Sequence, residues 1–354
     1  MVTNRKSGSM NRTARLCSTL ILVVLCAPAM VPAQELSQEQ FDKAVSIAEA
    51  LAEEALGQSH EIYGVPSAED RGLILAEGDS WFDYRRFTWR GLRRSDVLKL
   101  LEARHGYEVR SVARHGHTLE SMTYDVFQVT ELAQELQRVA ARYPLRRLAI
   151  LLSAGGNDIA GPELGVLLNH RRSESSFESE QIVSEIFERR LQSALVTFLH
   201  TVVRLSEETV LEANALEGVP RPPIPILIHG YDYPVPDGRG WHGGASLLPG
   251  PWLEPAFARK GWGDLGDNQG LMKRLIDRYN RVVELVAERF EQVHYVRTVG
   301  LLDSSDYEED WADELHPTLD GFRQIALCFH IVLEELHKGN HQPVYTCTDL
   351  VPPS

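Results

Sequence analysis

Short apolar runs alternate with segments of helical periodicity over most of this 354-residue chain. That alternation constrains the fold more than any other feature. Leu73-Ile74-Leu75-Ala76 is the first run, and it ends at Gly78. A helix is predicted from Asp96 to Arg104, then a strand over 107–112 ending in Arg114-His115-Gly116-His117. A helix over 119–142 follows, then Leu148-Ala149-Ile150-Leu151-Leu152, ending in Gly155-Gly156-Asn157-Asp158. The pattern continues with a helix over 181–205, a strand over 224–229, a helix over 267–290, a strand over 293–297 and a last helix over 319–336. Strands buried on both faces read as continuous apolar runs, and helices between them serve as crossovers. The expected class is therefore α/β: a three-layer α/β/α sandwich around a mostly parallel sheet of about five strands.

In such sheets ligands bind beyond the carboxyl ends of the strands. The residues there are Gly78-Asp79-Ser80, His115-Gly116, Gly156-Asn157-Asp158 and His229-Gly230, all small or reactive. A serine hydroxyl is a weak nucleophile without a neighbouring base. Asp313-Glu314-Leu315-His316-Pro317 supplies one. An aspartate three residues before a histidine can accept from Nδ1 and leave Nε2 free for the serine proton. The Asn157 side chain, the Gly116 N–H and the Ser80 N–H are candidate donors to an oxyanion, each of which can alternatively serve a turn.

Taken together, Gly78-Asp79-Ser80, Gly116, Gly155-Gly156-Asn157-Asp158 and Asp313-Glu314-Leu315-His316 resemble the four sequence blocks of the SGNH/GDSL hydrolase superfamily, in order, spacing and strand position. The resemblance spans about Leu73 to Leu336. It implies a flavodoxin-like sheet and cofactor-free hydrolysis of esters or thioesters. Ser80 would be the nucleophile, His316 the base and then the acid, and Asp313 the residue that orients it. Ser80, Gly116 and Asn157 would form the oxyanion hole. Trp81 stands where the family name has leucine. The Gly-x-Ser-x-Gly elbow of ordinary α/β-hydrolases is absent.

Trp81, Asp79, Asp158, His229 and Tyr231 are candidate substrate contacts; Asp79 and Asp158 read better as turn and hydrogen-bonding residues, while His229, Tyr231 and Asp232 equally suit a strand-end hydrogen-bond network. His115 and His117 flank Gly116 like a metal pair, but no further ligands accompany them, so neither metal nor cofactor is expected. Residues 231–266 are rich in Pro, Gly and Trp, with Trp241, Trp252 and Trp262, and suit a binding loop or lid. These tryptophans, with Trp81, Phe82 and Tyr84, could line an acyl groove or stack on sugar rings. The substrate is thus expected to be a small-molecule, lipid or glycan ester. An O-acetyl esterase for glycans, or a non-catalytic carbohydrate- or partner-binding module, is the alternative.

The first 33 residues carry Arg5, Lys6, Arg12 and Arg15, an apolar run from Leu16 to Ala29, and Val31-Pro32-Ala33. This is the pattern of a cleaved signal peptide, and it predicts export to the periplasm or beyond. The apolar run has 14 residues, and a spanning helix needs about 20, so no stable span is expected after cleavage. Without the four basic residues the net charge falls from −14 to −18, which repels nucleic acid. Residues 34–70 read as an N-terminal helix, with Phe41, Ala44, Val45, Ala48, Leu51, Ala52 and Ala55 at helical spacing, and a polar connection. Residues 71–338 form the catalytic domain and 339–354 a C-terminal tail. Cys328 and Cys347 remain after cleavage. In an oxidising compartment they can pair, or stay as a buried and a loose thiol.

Overall fold

A computed structural model describes residues 71–352, apart from 89–90, 143–146, 178–182, 219, 244–247 and 303–305. The expected signal peptide and N-terminal helix lie outside the described residues. The chain divides into two compact units, one of residues 1–60 with 87–93 and one of 61–86 with 94–354. Apart from residues 87–93 of the β2–β3 hairpin, the second holds every element discussed below.

The strands are β1 (Leu73–Gly78), β2 (Arg85–Thr88), β3 (Gly91–Arg94), β4 (Glu108–Ser111), β5 (Leu148–Ser153), β6 (Ile226–His229), β7 (Val293–Arg297) and β8 (Val344–Thr346). The helices are α1 (Val97–His105), α2 (Leu119–Tyr124), α3 (Val126–Arg142), α4 (Pro162–Leu167), α5 (Arg190–Glu217), α6 (Glu254–Arg259), α7 (Leu265–Ala287), α8 (Tyr307–Asp310), α9 (Leu319–His337) and α10 (Cys347–Leu350). Six strands form one sheet in the order β4-β1-β5-β6-β7-β8, and every pairing in it is parallel. Helices flank it in an α/β sandwich. Helix α9 packs on α1, while α5 packs on α2, α3 and α7. β1 pairs Leu73 with Glu108 on one side and with Leu148 on the other. All six of its residues are buried, as befits an interior strand of such a sheet.

Local chemistry sets where the helices start. Asp96 accepts from the Lys99 N–H at 2.9 Å, Asp264 from Asp267 at 2.9 Å and Thr318 from Gly321 at 3.1 Å. Side-chain oxygens thus satisfy amides that have no partner inside the helix.

Four elements differ from the sequence expectation. The helix expected over 119–142 is two helices, because Asp125 leaves helical geometry and accepts from the Phe127 N–H at 2.8 Å, starting a new one. The helix expected over 181–205 opens with a π-helical stretch, Val183–Arg189, and runs on to Glu217. In its second half the Ser206 and Thr209 hydroxyls bond back to the Val203 and Leu205 carbonyls, each at 2.8 Å. The sheet has six strands rather than five. The sixth, β8, lies in the segment expected to be a tail and is too short to show a pattern. It pairs with β7, and Cys347 just after it is bonded to Cys328 in α9. Finally, the 231–266 stretch contains a 3₁₀ turn (Trp241–Gly243) and α6, with Leu253, Ala256 and Phe257 in the core. Among the described residues no helix is long and apolar enough to cross a membrane.

Candidate active site

Ser80 sits on a tight turn at the carboxyl end of β1. Asp79 shapes that turn: its carbonyl accepts from Phe82 and Asp83 N–H groups, both at 3.1 Å, and its carboxylate accepts from the Trp81 N–H at 3.0 Å. The same carboxylate takes hydrogen bonds from Ser153 Oγ at 2.7 Å and from the Tyr231 hydroxyl. Burial is the largest influence on Asp79 and pushes its pKa up, against these donors and His316. Gly78 lets the turn approach β5. A Cβ there would lie 2.8 Å from both Ser153 Cβ and the Ser153 carbonyl oxygen, closer than van der Waals contact allows.

The partner residues come from the loop between α8 and α9. His316 Nε2 lies 2.8 Å from Ser80 Oγ. His316 Nδ1 lies 2.8 Å from Asp313 Oδ1 and 3.0 Å from Oδ2. The carboxylate can only accept, so Nδ1 carries the proton and Nε2 offers its lone pair to the serine hydroxyl. Asp313 Oδ1 also accepts the Leu315 and His316 N–H groups, each at 2.9 Å. Burial alone would raise the Asp313 pKa. The His316 imidazole and those two amides together outweigh it, so the carboxyl is held below its usual 3.8.

Two contacts on this loop have no signal in the sequence. The Tyr84 hydroxyl donates to Asp313 Oδ2 at 3.1 Å, and its ring stacks on His316 with centroids 4.5 Å apart. The sequence shows Tyr84 only as an aromatic near the nucleophile, and it lies beneath the base rather than in a groove. Glu314, fully buried, accepts backbone N–H groups from Gly238 (3.1 Å), Trp252 (2.5 Å), Leu253 (2.7 Å) and Glu254 (2.9 Å). Burial is the largest influence on its carboxyl and raises the pKa against those four donors. One buried carboxylate thereby ties the Trp-rich segment to the loop that carries Asp313 and His316. The Trp252 ring meets the His316 ring edge-on at 5.3 Å.

Asn157 lies beside Ser80 in the wall of the same cavity. Its Nδ2 donates to the His117 carbonyl at 2.8 Å, which fixes the amide and leaves its second N–H for another acceptor. Gly116 is exposed on the adjoining loop, in the left-handed region at φ +80°. His115 and His117 turn to different carboxylates, Asp83 at 3.1 Å and Glu77 at 3.8 Å.

The candidate substrate contacts separate into two groups. Trp81, Tyr231 and Asp79 line the cavity beside Ser80. Trp81 donates from Nε1 to the Leu315 carbonyl at 3.0 Å, and Asp79 and Tyr231 hydrogen-bond each other. His229 lies outside the cavity lining. It is 0% exposed, stacked on Trp81 at 5.3 Å with Nδ1 on the Gly230 carbonyl, and burial lowers its pKa to about 4. Asp158 is committed elsewhere: its carboxylate accepts the Leu119 N–H at 2.6 Å and the Glu120 N–H at 3.4 Å, at the start of α2, and burial raises its pKa to about 6. The remaining aromatics differ in placement. Phe82 is fully buried, and Trp241 and Trp262 donate from Nε1 to the Arg85 and Asn169 carbonyls at 3.0 and 2.9 Å.

No protein-family model and no curated protein matches the chain. Solved structures similar to it include a carbohydrate acetylesterase, Est24 from Sinorhizobium meliloti, at 12% identity and TM-score 0.41, covering 75% of this chain and 99% of that one. The M. smegmatis aryl esterase is 15% identical, with TM-score 0.39 and coverage of 75% and 99%. A GDSL-like lipase from Bacteroides thetaiotaomicron is 11% identical, with TM-score 0.34 and coverage of 82% and 98%. At such scores, what the site can do follows from its own distances.

Proposed function

We propose that the chain is an exported carboxylic ester hydrolase that works through an acyl-enzyme on Ser80. The observation that carries this is the relay of contacts from Ser80 Oγ to His316 Nε2 and from His316 Nδ1 to Asp313, each 2.8 Å at its shortest. Ser80 Oγ attacks the ester carbonyl while His316 Nε2 takes its proton. Asp313 holds the imidazole in the required tautomer and stabilises the imidazolium. The second N–H of Asn157 and the Ser80 and Gly116 N–H groups serve the tetrahedral oxyanion; one such donor is worth about 3–4 kcal/mol of barrier. His316 then protonates the leaving alcohol, and water, activated by the same imidazole, releases the acid. The steps use this chain's side chains and backbone amides, with water as the second nucleophile, and call for no cofactor. The basic and apolar start of the sequence, ending at Ala33, supports export.

Hydrolysis of p-nitrophenyl acetate by the chain from Gln34 tests the proposal. Native protein should turn it over, and Ser80→Ala should lose roughly 10⁴-fold or more in kcat with its fold intact. A Ser80→Ala protein that keeps its activity overturns the assignment.

A further inference from the structure

The partly open cavity that Ser80 and Asn157 share is small, about 30 Å³. On that measure one water needs about 10–15 Å³, so the space takes roughly two water-sized groups. Its apolar wall includes Ile159, Leu253, Met272 and Ile276, each no more than 3% exposed. These side chains are already part of the close-packed core, and such cores do not yield volume freely. Met272 and Ile276 stand one turn apart on α7, which spans Leu265–Ala287. Leu253 is fixed from the other side by its N–H bond to Glu314 at 2.7 Å.

Two carboxylates also border the cavity, and both are occupied. Asp79 accepts from Trp81, Ser153 and Tyr231. Asp232 accepts the Leu302 N–H at 2.8 Å and the Tyr233 N–H at 2.9 Å. The cavity is therefore suited to a short hydrocarbon group rather than a charged or hydroxylated one.

On the ester-hydrolase reading above, we propose that the chain is specific for short acyl groups, acetyl and propionyl, and that Met272 and Ile276 set the limit. The carbonyl carbon sits on Ser80 Oγ, and the methyl or ethyl beyond it fills the available space. A longer chain directed against Met272 and Ile276 must displace buried side chains.

The test measures kcat/KM for p-nitrophenyl acetate, propionate, butyrate and octanoate, with a fluorophosphonate probe run in parallel on native protein and Ser80→Ala. Acetate or propionate should exceed octanoate by roughly 100-fold. Met272→Ala should move the octanoate-to-acetate ratio up roughly tenfold. Ile276→Val, a milder change, should move it in the same direction if Met272→Ala fails to fold. Octanoate turned over as well as acetate, through a Ser80 that labels, overturns the short-acyl proposal and leaves the hydrolase reading standing. An unchanged ratio in both folded variants removes Met272 and Ile276 as its cause. A Ser80 that labels without acetate turnover also counts against the proposal. No labelling and no hydrolysis of any ester defeats the hydrolase reading itself.

Discussion

The Ser80 turn and the Asp313–His316 loop meet across 2.8 Å, yet they are built by different means. The turn is held by the sheet: Gly78 packs against Ser153 of the neighbouring strand, and Asp79 is pinned by Ser153 and Tyr231. The loop is held by buried acceptors: Asp313 gathers Tyr84 and two amides, and Glu314 gathers four. The nucleophile is thus placed by close packing together with the hydrogen bonds of Asp79, and the base by hydrogen bonds to Asp313 and Glu314. The first should be sensitive to added volume and the second to a change of acceptor.

Asp313→Asn gives the largest expected effect. The amide cannot hold His316 in the same tautomer, and kcat should fall about 10⁴-fold. The same pair of proteins yields a pH signature. Asp313 is held below 3.8 in the folded chain, so it favours folding above about pH 4 and loses that contribution as pH falls through its native value. The melting temperature difference between native protein and Asp313→Asn should therefore shrink on acidification below pH 4. A difference that grows there would break the account of the loop.

Glu314→Gln comes next. Its NH₂ would face N–H donors, leaving buried groups without acceptors at a cost of roughly 2–3 kcal/mol. Both kcat and KM should worsen, because Leu253 in the cavity wall and His316 are tied to the same residue pair. A change in stability alone would separate the segment from the site. Gly78→Ala tests the packed side, where the new methyl should cost about 1–3 kcal/mol by overpacking. Thermal unfolding with residual activity would show it, and a neutral result would contradict the close approach to Ser153. Tyr84→Phe is the mildest. Loss of one buried hydrogen bond to Asp313 should lower kcat roughly fivefold at unchanged KM, with a melting temperature lowered by a few degrees. A KM effect instead would mean that Tyr84 meets substrate.

These contrasts also explain what the sequence could reveal. β1, β5 and β6 are apolar runs whose ends carry Ser80, Asn157 and His229, and their pattern is local. Asp313 and His316 are three residues apart, so their relation is local too. Tyr84 and Glu314 act across 229 and up to 76 residues, and no local pattern encodes such contacts. His229 is the converse case: its strand-end position leaves chemistry and a structural role equally open, and the aromatic cage of Trp81, Phe82, Tyr231 and Phe329 around it appears only when the chain is folded. Asp158 similarly looks reactive until its two amide donors are in place.

The most direct measurement of the central claim is the site of covalent modification by a fluorophosphonate, located by mass spectrometry of the native chain and of Ser80→Ala and His316→Ala. The account predicts one adduct, on Ser80, absent from the Ser80→Ala protein and slowed roughly 10³-fold or more in His316→Ala. An unlabelled Ser80 in folded native protein, or labelling at the native rate without His316, would contradict it.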